Sequence, residues 1–145
     1  MSPSTYSAYV QTAAGDSTHP IAALVSNGSV RVKIVEIGIF NTTATAVDIA
    51  LCRVSTAGTP GSNATTLTET EGSASATAIL KGTYTSTAPT TTIAGRRAQL
   101  GAAIGSGIVW TFPDGLWIPA TSNAAVGVIP TGTGQVCDVY VVWSE

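Results

Sequence analysis

Hydrophobic residues recur along the chain in short runs, and clusters of glycine, proline, serine, threonine and asparagine separate these runs. The most regular run covers residues 30–41. In an extended conformation one face of this run carries Val32, Ile34 and Phe40, and the other carries Val35, Ile37 and Ile39. Side chains alternate between the two faces of a strand. Apolar residues on both faces of the second half therefore predict either burial on both sides or a β-bulge near residues 36–38.

Most of the remaining chain divides into segments that have the length and composition of short strands. These predicted strands cover residues 6–12, 47–54, 78–85, 96–104, 108–112, 116–118, 124–129 and 136–143. Residues 19–25 fit either a short strand or a helical turn. Residues 57–77 form the longest irregular stretch, for which we predict an excursion across the surface with a weak helical turn near residues 66–71.

Two connections are typical of hairpin turns. Residues 42–46 are short enough to join the strands on either side of them as a hairpin. Pro113-Asp-Gly115 predicts a tight turn, because proline presets φ and glycine tolerates a positive φ. A hairpin at this turn would bring Trp110 and Trp117 together as a packed cross-strand pair. The alternative is that Trp110, Trp117 and Trp143 are exposed and line a platform for a sugar.

About eight short strands separated by turns, with no amphipathic helix and no internal repeat, predict an all-β, single-domain β-sandwich of antiparallel strands over residues 1–145. The length of 145 residues agrees with one domain. Residues 1–12 fit two arrangements. They form either an extended N-terminal arm that reaches a neighbouring molecule or the first strand of the sandwich.

Charge is scarce in this sequence. Charged residues make up 10% of the chain, six cations against eight anions give a net charge of −2, and serine and threonine supply 37 residues. No basic tract is present that would follow a phosphate backbone, so we expect no nucleic-acid partner. The chain has no secretory signal pattern and no apolar run long enough to span a bilayer, so we expect no membrane partner and synthesis in the cytoplasm. A weakly charged, hydroxyl-rich surface favours packing against copies of itself or against a partner.

The residues that usually carry catalysis do not form a recognisable motif. His19 is followed by Pro20, no Gly-x-Ser-x-Gly pattern is present, and the acidic residues are scattered. Cys52 and Cys137 lie in apolar strand-like runs, which predicts buried free thiols rather than a disulfide. We expect no catalytic, cofactor-binding or metal-binding residues, and therefore no enzyme.

Four residues are candidates for contacts with another protein. Tyr6 and Tyr9 would act as aromatic anchors of an N-terminal arm. Arg96 and Arg97 form the only adjacent pair of arginines, which is either a partner contact or a solvated pair.

Several strand and turn segments resemble small structural proteins of tailed bacteriophages. They are residues 30–43 (VRVKIVEIGIFNTT), 50–61 (ALCRVSTAGTPG), 115–120 (GLWIPA), 127–134 (GVIPTGTG) and 138–145 (DVYVVWSE). The resemblance is to jelly-roll head decoration, or cement, proteins. It implies a non-enzymatic virion protein on the head surface, with the major capsid protein and further copies of the chain, as a homotrimer, for partners. A tail, baseplate or fibre component and a carbohydrate-binding sandwich remain as alternatives.

Overall fold

The part of the chain that the computed structural model describes, residues 3–145, forms ten β-strands and no helix. The strands are β1 (Thr5–Gln11), β2 (Ala22–Val25), β3 (Val32–Asn41), β4 (Val47–Val54), β5 (Thr66–Thr68), β6 (Ile79–Lys81), β7 (Thr91–Leu100), β8 (Gly107–Ile118), β9 (Ala125–Pro130) and β10 (Cys137–Ser144). Buried and exposed side chains alternate most regularly in the last of these strands, while β9 is buried along its whole length. Within residues 3–145, no helix is long and apolar enough to cross a membrane.

The strands form two five-stranded antiparallel sheets. Sheet I has the order β5-β1-β10-β3-β8, and sheet II has the order β6-β2-β9-β4-β7. The eight longer strands pair in a nested way, first with last: β1 with β10, β2 with β9, β3 with β8 and β4 with β7. This is the topology of a jelly roll, in which one long antiparallel ribbon is rolled into two layers. The predicted all-β sandwich is confirmed, and the short strands β5 and β6 extend one edge of each sheet.

Strands that follow each other in the described sequence do not pair with each other. The predicted hairpin through residues 42–46 is therefore wrong, since this connection carries the chain from sheet I to sheet II. Buried Asn41 fixes this corner. Its Nδ2 donates hydrogen bonds to the carbonyl oxygens of Thr45 (2.7 Å) and Gly101 (3.1 Å), and its Oδ1 accepts from the Thr43 amide (2.9 Å).

Strand β3 contains a bulge at Val35. Ile34 pairs with Trp143 and Glu36 with the adjacent Val142, so Val35 is the extra residue. An extra residue reverses which face the following side chains point to. The buried positions accordingly change from Val32 and Ile34 to Ile37 and Ile39. The predicted bulge is confirmed, one residue before the expected range.

Strand β8 runs through the segment for which a turn was predicted. Thr111 pairs with Glu36 and Leu116 with Ile34, so residues 112–115 form a wide bulge within one strand. The hairpin at Pro113-Asp-Gly115 is therefore wrong. Strand β8 lies at the edge of sheet I, where a proline without an amide hydrogen and Gly115 with a φ of +80° can be accommodated. Trp110 and Trp117 consequently lie on the same strand and do not face each other.

Several other segments differ in extent from the prediction. Residues 66–68 are strand β5, which pairs with β1, so the helical turn expected there is wrong. Residues 22–25 form a strand, and the strand expected at 78–85 is reduced to β6. Strand β7 begins five residues earlier than expected, because Thr91 already pairs with Val54. The β-branched side chain of threonine suits a strand, although this threonine-rich segment resembles a loop in sequence.

The N-terminal segment is a strand of its own sandwich. Along its whole length β1 pairs with β10, from Thr5 opposite Ser144 to Gln11 opposite Asp138. Of the two arrangements predicted for residues 1–12, the first strand is therefore the one adopted over residues 5–11. Met1 and Ser2 lie outside the described residues.

The two sheets differ in how their outer faces are covered. The main core lies between the sheets, with Trp143 as one of its largest fully buried side chains. A second apolar cluster lies on the outside of sheet II, where Tyr84 packs with Ala50, Cys52, Val54, Ala125 and Ile129. The loop after β6 thus covers the part of the outer face of sheet II formed by β2, β4 and β9, and leaves the edge strand β7 exposed. The outer face of sheet I has no equivalent cluster among residues 3–145.

Candidate functional site: the outer face of sheet I

Outward-pointing side chains of sheet I line up in rows across the strands, because the register places equivalent positions side by side. One row contains Leu67, Ser7, Val142, Glu36 and Thr111. A second contains Tyr9, Tyr140, Gly38 and Val109, and a third contains Gln11, Asp138, Phe40 and Gly107. We call this surface the aromatic face.

Two aromatic rings form the centre of the aromatic face. Phe40 and Tyr140 are stacked, with ring centroids 6.4 Å apart and an interplanar angle of 11°. The Tyr140 hydroxyl donates a 2.6 Å hydrogen bond to Glu36 Oε2. This bond raises the pKa of Tyr140 to about 12, because ionisation would remove the donated proton and place two negative charges together. The bond holds the ring in place on the sheet.

A groove of about 610 Å³ lies at the β5 edge of the aromatic face. Its lining includes Tyr9, Leu67, Glu69, Tyr140 and Val142. Tyr9 and Leu67 are 74% and 62% exposed, which is high for large apolar side chains. Glu69 Oε1 accepts a 3.0 Å hydrogen bond from the Ser7 hydroxyl. We call this feature the Leu67 groove. It combines an apolar wall with one carboxylate.

Basic residues gather around one exposed tryptophan at the opposite, β8, edge of sheet I. The Arg31 guanidinium lies 4.4 Å from the centroid of the Trp117 ring, and Lys33 Nζ lies 5.9 Å from it. Arg53 Nη1 donates a 2.8 Å hydrogen bond to the Trp117 carbonyl oxygen. We call these four residues the Trp117 corner. It holds three of the six cations of the chain, with a tryptophan that is 40% exposed.

Strand β7 also contains a bulge, because Arg97 pairs with Ala50 while Ile93 pairs with Cys52. This bulge and that of β8 meet at a cleft between the sheets. Its volume is about 350 Å³, and apolar residues such as Leu51, Leu116 and Val126 line it. The Arg96 guanidinium lies 4.7 Å from the Phe112 ring centroid and donates a 3.2 Å hydrogen bond to the Thr111 carbonyl oxygen. Arg96 therefore connects sheet II to the bulge of sheet I and shields an edge strand that would otherwise be open.

The four predicted contact residues have different environments. Tyr6 lies in the core, 3% exposed, with its hydroxyl donating to the Ala74 carbonyl oxygen at 2.8 Å, so its ring is not on the surface. Tyr9 is on the surface. The spacing of three residues already placed these two tyrosines on opposite faces of a strand. Arg96 is exposed and packs on Phe112, while Arg97 is exposed with Nη2 3.5 Å from Asp48 Oδ2.

The tryptophans do not form the platform considered as an alternative. Trp110 and Trp143 are 4% and 0% exposed, respectively, and only the third, Trp117, is on the surface.

The sequence did not indicate most of the residues on the exposed surface of sheet I. Residues missed in this way are Arg31, Lys33, Phe40, Leu67, Glu69 and Tyr140. For Arg31 and Lys33 the available signal was their position in a strand whose neighbours are apolar.

The two thiols and the one histidine of the chain have different environments. Cys52 and Cys137 are buried and unbonded, as predicted, and burial raises their pKa values to about 12 and about 11. A nucleophilic cysteine needs the opposite shift. His19 Nδ1 lies 2.8 Å from Asp16 Oδ1, and hydrogen bonds from His19 and Thr18 hold the pKa of the Asp16 carboxyl well below its usual range. Residues 3–145 contain no group of three or more histidine, cysteine or acidic side chains placed to hold a metal ion.

Comparison with models of protein families gives no match, and comparison with curated proteins gives none either. Among solved structures, the chain is similar to the cryo-EM structure of a virus-like particle of extra small virus from the giant freshwater prawn Macrobrachium rosenbergii. The TM-score is 0.41 and the sequence identity 6%, over 99% of this chain and 77% of the other.

Proposed function

We propose that this chain is a non-enzymatic structural protein of a virus particle that works by contact with other proteins. One observation carries the proposal. The outer face of sheet II has a buried apolar cluster around Tyr84 and leaves Ile93 of its edge strand exposed. By contrast, the outer face of sheet I has no such cluster in the described part of the chain and leaves Tyr9, Leu67 and Val109 between 44% and 74% exposed. An apolar surface of this kind on a soluble domain marks an interaction site.

The more specific form of the proposal is a decoration protein on the head of a tailed bacteriophage. It rests on the resemblance of five strand and turn segments to small virion proteins of such phages. The chain would bind the outside of the head, bridge subunits of the major capsid protein and act as a homotrimer. The jelly-roll sandwich and a chain with only 10% charged residues suit many modest contacts on a repetitive shell.

The test is the number of copies in purified virions that have been separated into heads and tails. Quantitative mass spectrometry gives the ratio of this chain to the major capsid protein. A ratio near one in the head fraction supports the decoration role. A few copies in the tail fraction would overturn the decoration role and favour a tail or fibre component. Absence from both fractions would overturn the proposal of a virion structural protein.

A binding experiment tests the surface. Purified protein added to heads that lack it should saturate a fixed number of sites, and Val109→Asp on the aromatic face should weaken that binding. The matched control is Ile104→Asp, because Ile104 is 76% exposed on the loop between β7 and β8, outside the aromatic face. Equal weakening by both variants, or by neither, would contradict a role of the aromatic face in attachment to the head.

A further inference from the structure

Charges of opposite sign are kept apart on sheet I. Over residues 3–145, oppositely charged side chains approach within 4.0 Å at His19–Asp16 and Arg97–Asp48, and neither pair belongs to this sheet's exposed features. The Trp117 corner has no carboxylate within that distance in the described chain, and Glu69 in the Leu67 groove has no cation. The chain therefore carries a basic feature and an acidic feature that do not neutralise each other.

The two features lie at opposite edges of one sheet. The Leu67 groove is formed on β5, β1 and β10, at one edge of a sheet of order β5-β1-β10-β3-β8. The Trp117 corner lies at the other edge, with Trp117 on β8, Lys33 on β3, Arg31 just before β3, and Arg53 reaching over from β4 of sheet II. Two features at opposite edges cannot meet within one molecule. They can meet between two copies placed side by side, since each copy then offers its corner to one neighbour and its groove to the other.

The Trp117 corner and the Leu67 groove are complementary in shape and composition as well as in charge. Trp117 projects with 40% of its surface exposed, flanked by Arg31 and Lys33. The Leu67 groove has a volume of about 610 Å³ and an aromatic and aliphatic lining. Tryptophan, tyrosine and arginine are the side chains that contribute most to protein interfaces, above all where one inserts into an apolar pocket.

We infer that copies of this chain associate head to tail, with the Trp117 corner of one copy seated in the Leu67 groove of the next. Trp117 contacts Tyr9 and Leu67 of its neighbour, and Arg31 and Lys33 lie against the neighbour's Glu69. The inference rests on the proposed function, because it names a partner for the aromatic face. A head-to-tail contact between identical copies gives a ring where the rotation closes and an open filament where it does not, whereas a two-fold dimer repeats one self-complementary patch. A virion protein of fixed copy number requires the closed form, a ring of at least three copies.

The test uses two variants, each with one surface disabled. Trp117→Ser disables the corner, and Leu67→Lys disables the groove. Sedimentation velocity on the wild-type protein should show a closed oligomer of three or more copies. Each variant alone should associate about thirtyfold more weakly or worse, the loss expected for a central interface residue. Ile104→Ser is the control and should behave as the wild type.

Mixing the two variants distinguishes the arrangement. Each keeps one intact surface, so an equimolar mixture should form one-to-one dimers that grow no further. A charge exchange adds a second readout: Glu69→Arg should weaken association, and Arg31→Glu with Lys33→Glu in the same chain should restore it. A wild-type protein that is monomeric or a two-fold dimer, or mixed variants that remain monomers, would overturn the inference. Near-ultraviolet circular dichroism establishes that each variant is folded.

The failure of this inference is separate from a failure of the proposed function. If the chain is monomeric but still saturates sites on phage heads, the head-to-tail contact is wrong and the structural role stands. If rings form but bind neither heads nor tails, the contact stands and the structural role is wrong.

Discussion

The ring of Tyr140 lies directly over Gly38 on the neighbouring strand. The two residues are cross-strand partners on the aromatic face, and a Cβ atom at position 38 would overlap the Tyr140 ring. Gly38 is therefore required by a close approach rather than by its own backbone conformation. The absence of a side chain lets the ring lie flat, stack on Phe40 and reach Glu36.

This packing predicts the effect of Gly38→Ala. The methyl group should displace the Tyr140 ring, break its hydrogen bond to Glu36 and lower the free energy of unfolding by about 1–3 kcal/mol, the usual cost of overpacking. Urea denaturation measures the change. Gly132→Ala is the matched control, because nothing lies within 4 Å of the added Cβ there, and a change at Gly38 no larger than at Gly132 would contradict the packing.

The stability of the protein should fall at alkaline pH. Hydrogen bonding to Glu36 raises the pKa of Tyr140 to about 12, and burial raises that of Tyr84 to about 12, from an ordinary value near 10. A raised acid pKa stabilises the fold below the unfolded pKa, and this contribution disappears as pH rises from about 10 through 12. Urea denaturation at intervals across this range should show the decline. Tyr140→Phe should make the decline shallower, and an unchanged slope in that variant would show that Tyr140 does not take part.

Truncation of Tyr6 should lower the stability of the fold strongly, whereas truncation of Tyr9 should leave it nearly unchanged. Tyr6 packs against Trp143, with ring centroids 5.9 Å apart, so Tyr6→Ala should lower the free energy of unfolding by about 3–5 kcal/mol. Tyr9 projects into solvent, and Tyr9→Ala should change it by less than about 0.5 kcal/mol. Thermal or urea unfolding of both variants tests this. Equal stabilities would mean that residues 5–11 are an arm outside the sandwich after all.

Arg96 and Arg97 should also differ, although they are adjacent. Arg96→Ala removes the contact with the Phe112 ring and the hydrogen bond to Thr111, and should cost about 1 kcal/mol of unfolding free energy. Arg97→Ala removes an exposed pair with Asp48 and should cost less than about 0.5 kcal/mol. Urea midpoints of the two variants give the comparison. A larger loss at Arg97 than at Arg96 would contradict the assignment of Arg96 as the link between the bulges.

Local pattern was informative about strands and the faces they bury. In β10, strict alternation identified Cys137, Val139, Val141 and Trp143 as one face, and all four are buried. In β3, the change of buried positions around Val35 was visible as apolar residues on both faces. These features depend on neighbours within a few positions, and the period of two along a strand encodes them directly.

Strand pairing was not predictable in the same way. Both proposed hairpins fail because the jelly roll pairs distant strands, such as β1 with β10. Short connections and turn residues favour pairing of neighbours, but burial of two sheet faces against each other outweighs that preference. The candidate site was the least predictable feature for this reason, since the Leu67 groove joins β5, β1 and β10, which are far apart in sequence.

The sequence by itself thus determined an all-β chain, the positions of most strands, the apolar residues on both faces of β3 and two buried thiols, because each is set by local periodicity and composition. Tertiary structure decided that β8 continues through Pro113-Asp-Gly115, that sheet I keeps an uncovered face, and that Arg31, Lys33 and Arg53 meet at Trp117. The physical reason is that these features arise from contacts between side chains far apart in the sequence, as for Glu36 and Tyr140, which are separated by 104 positions. No local sequence pattern encodes such contacts, which form only when distant strands pair and the two sheets pack together.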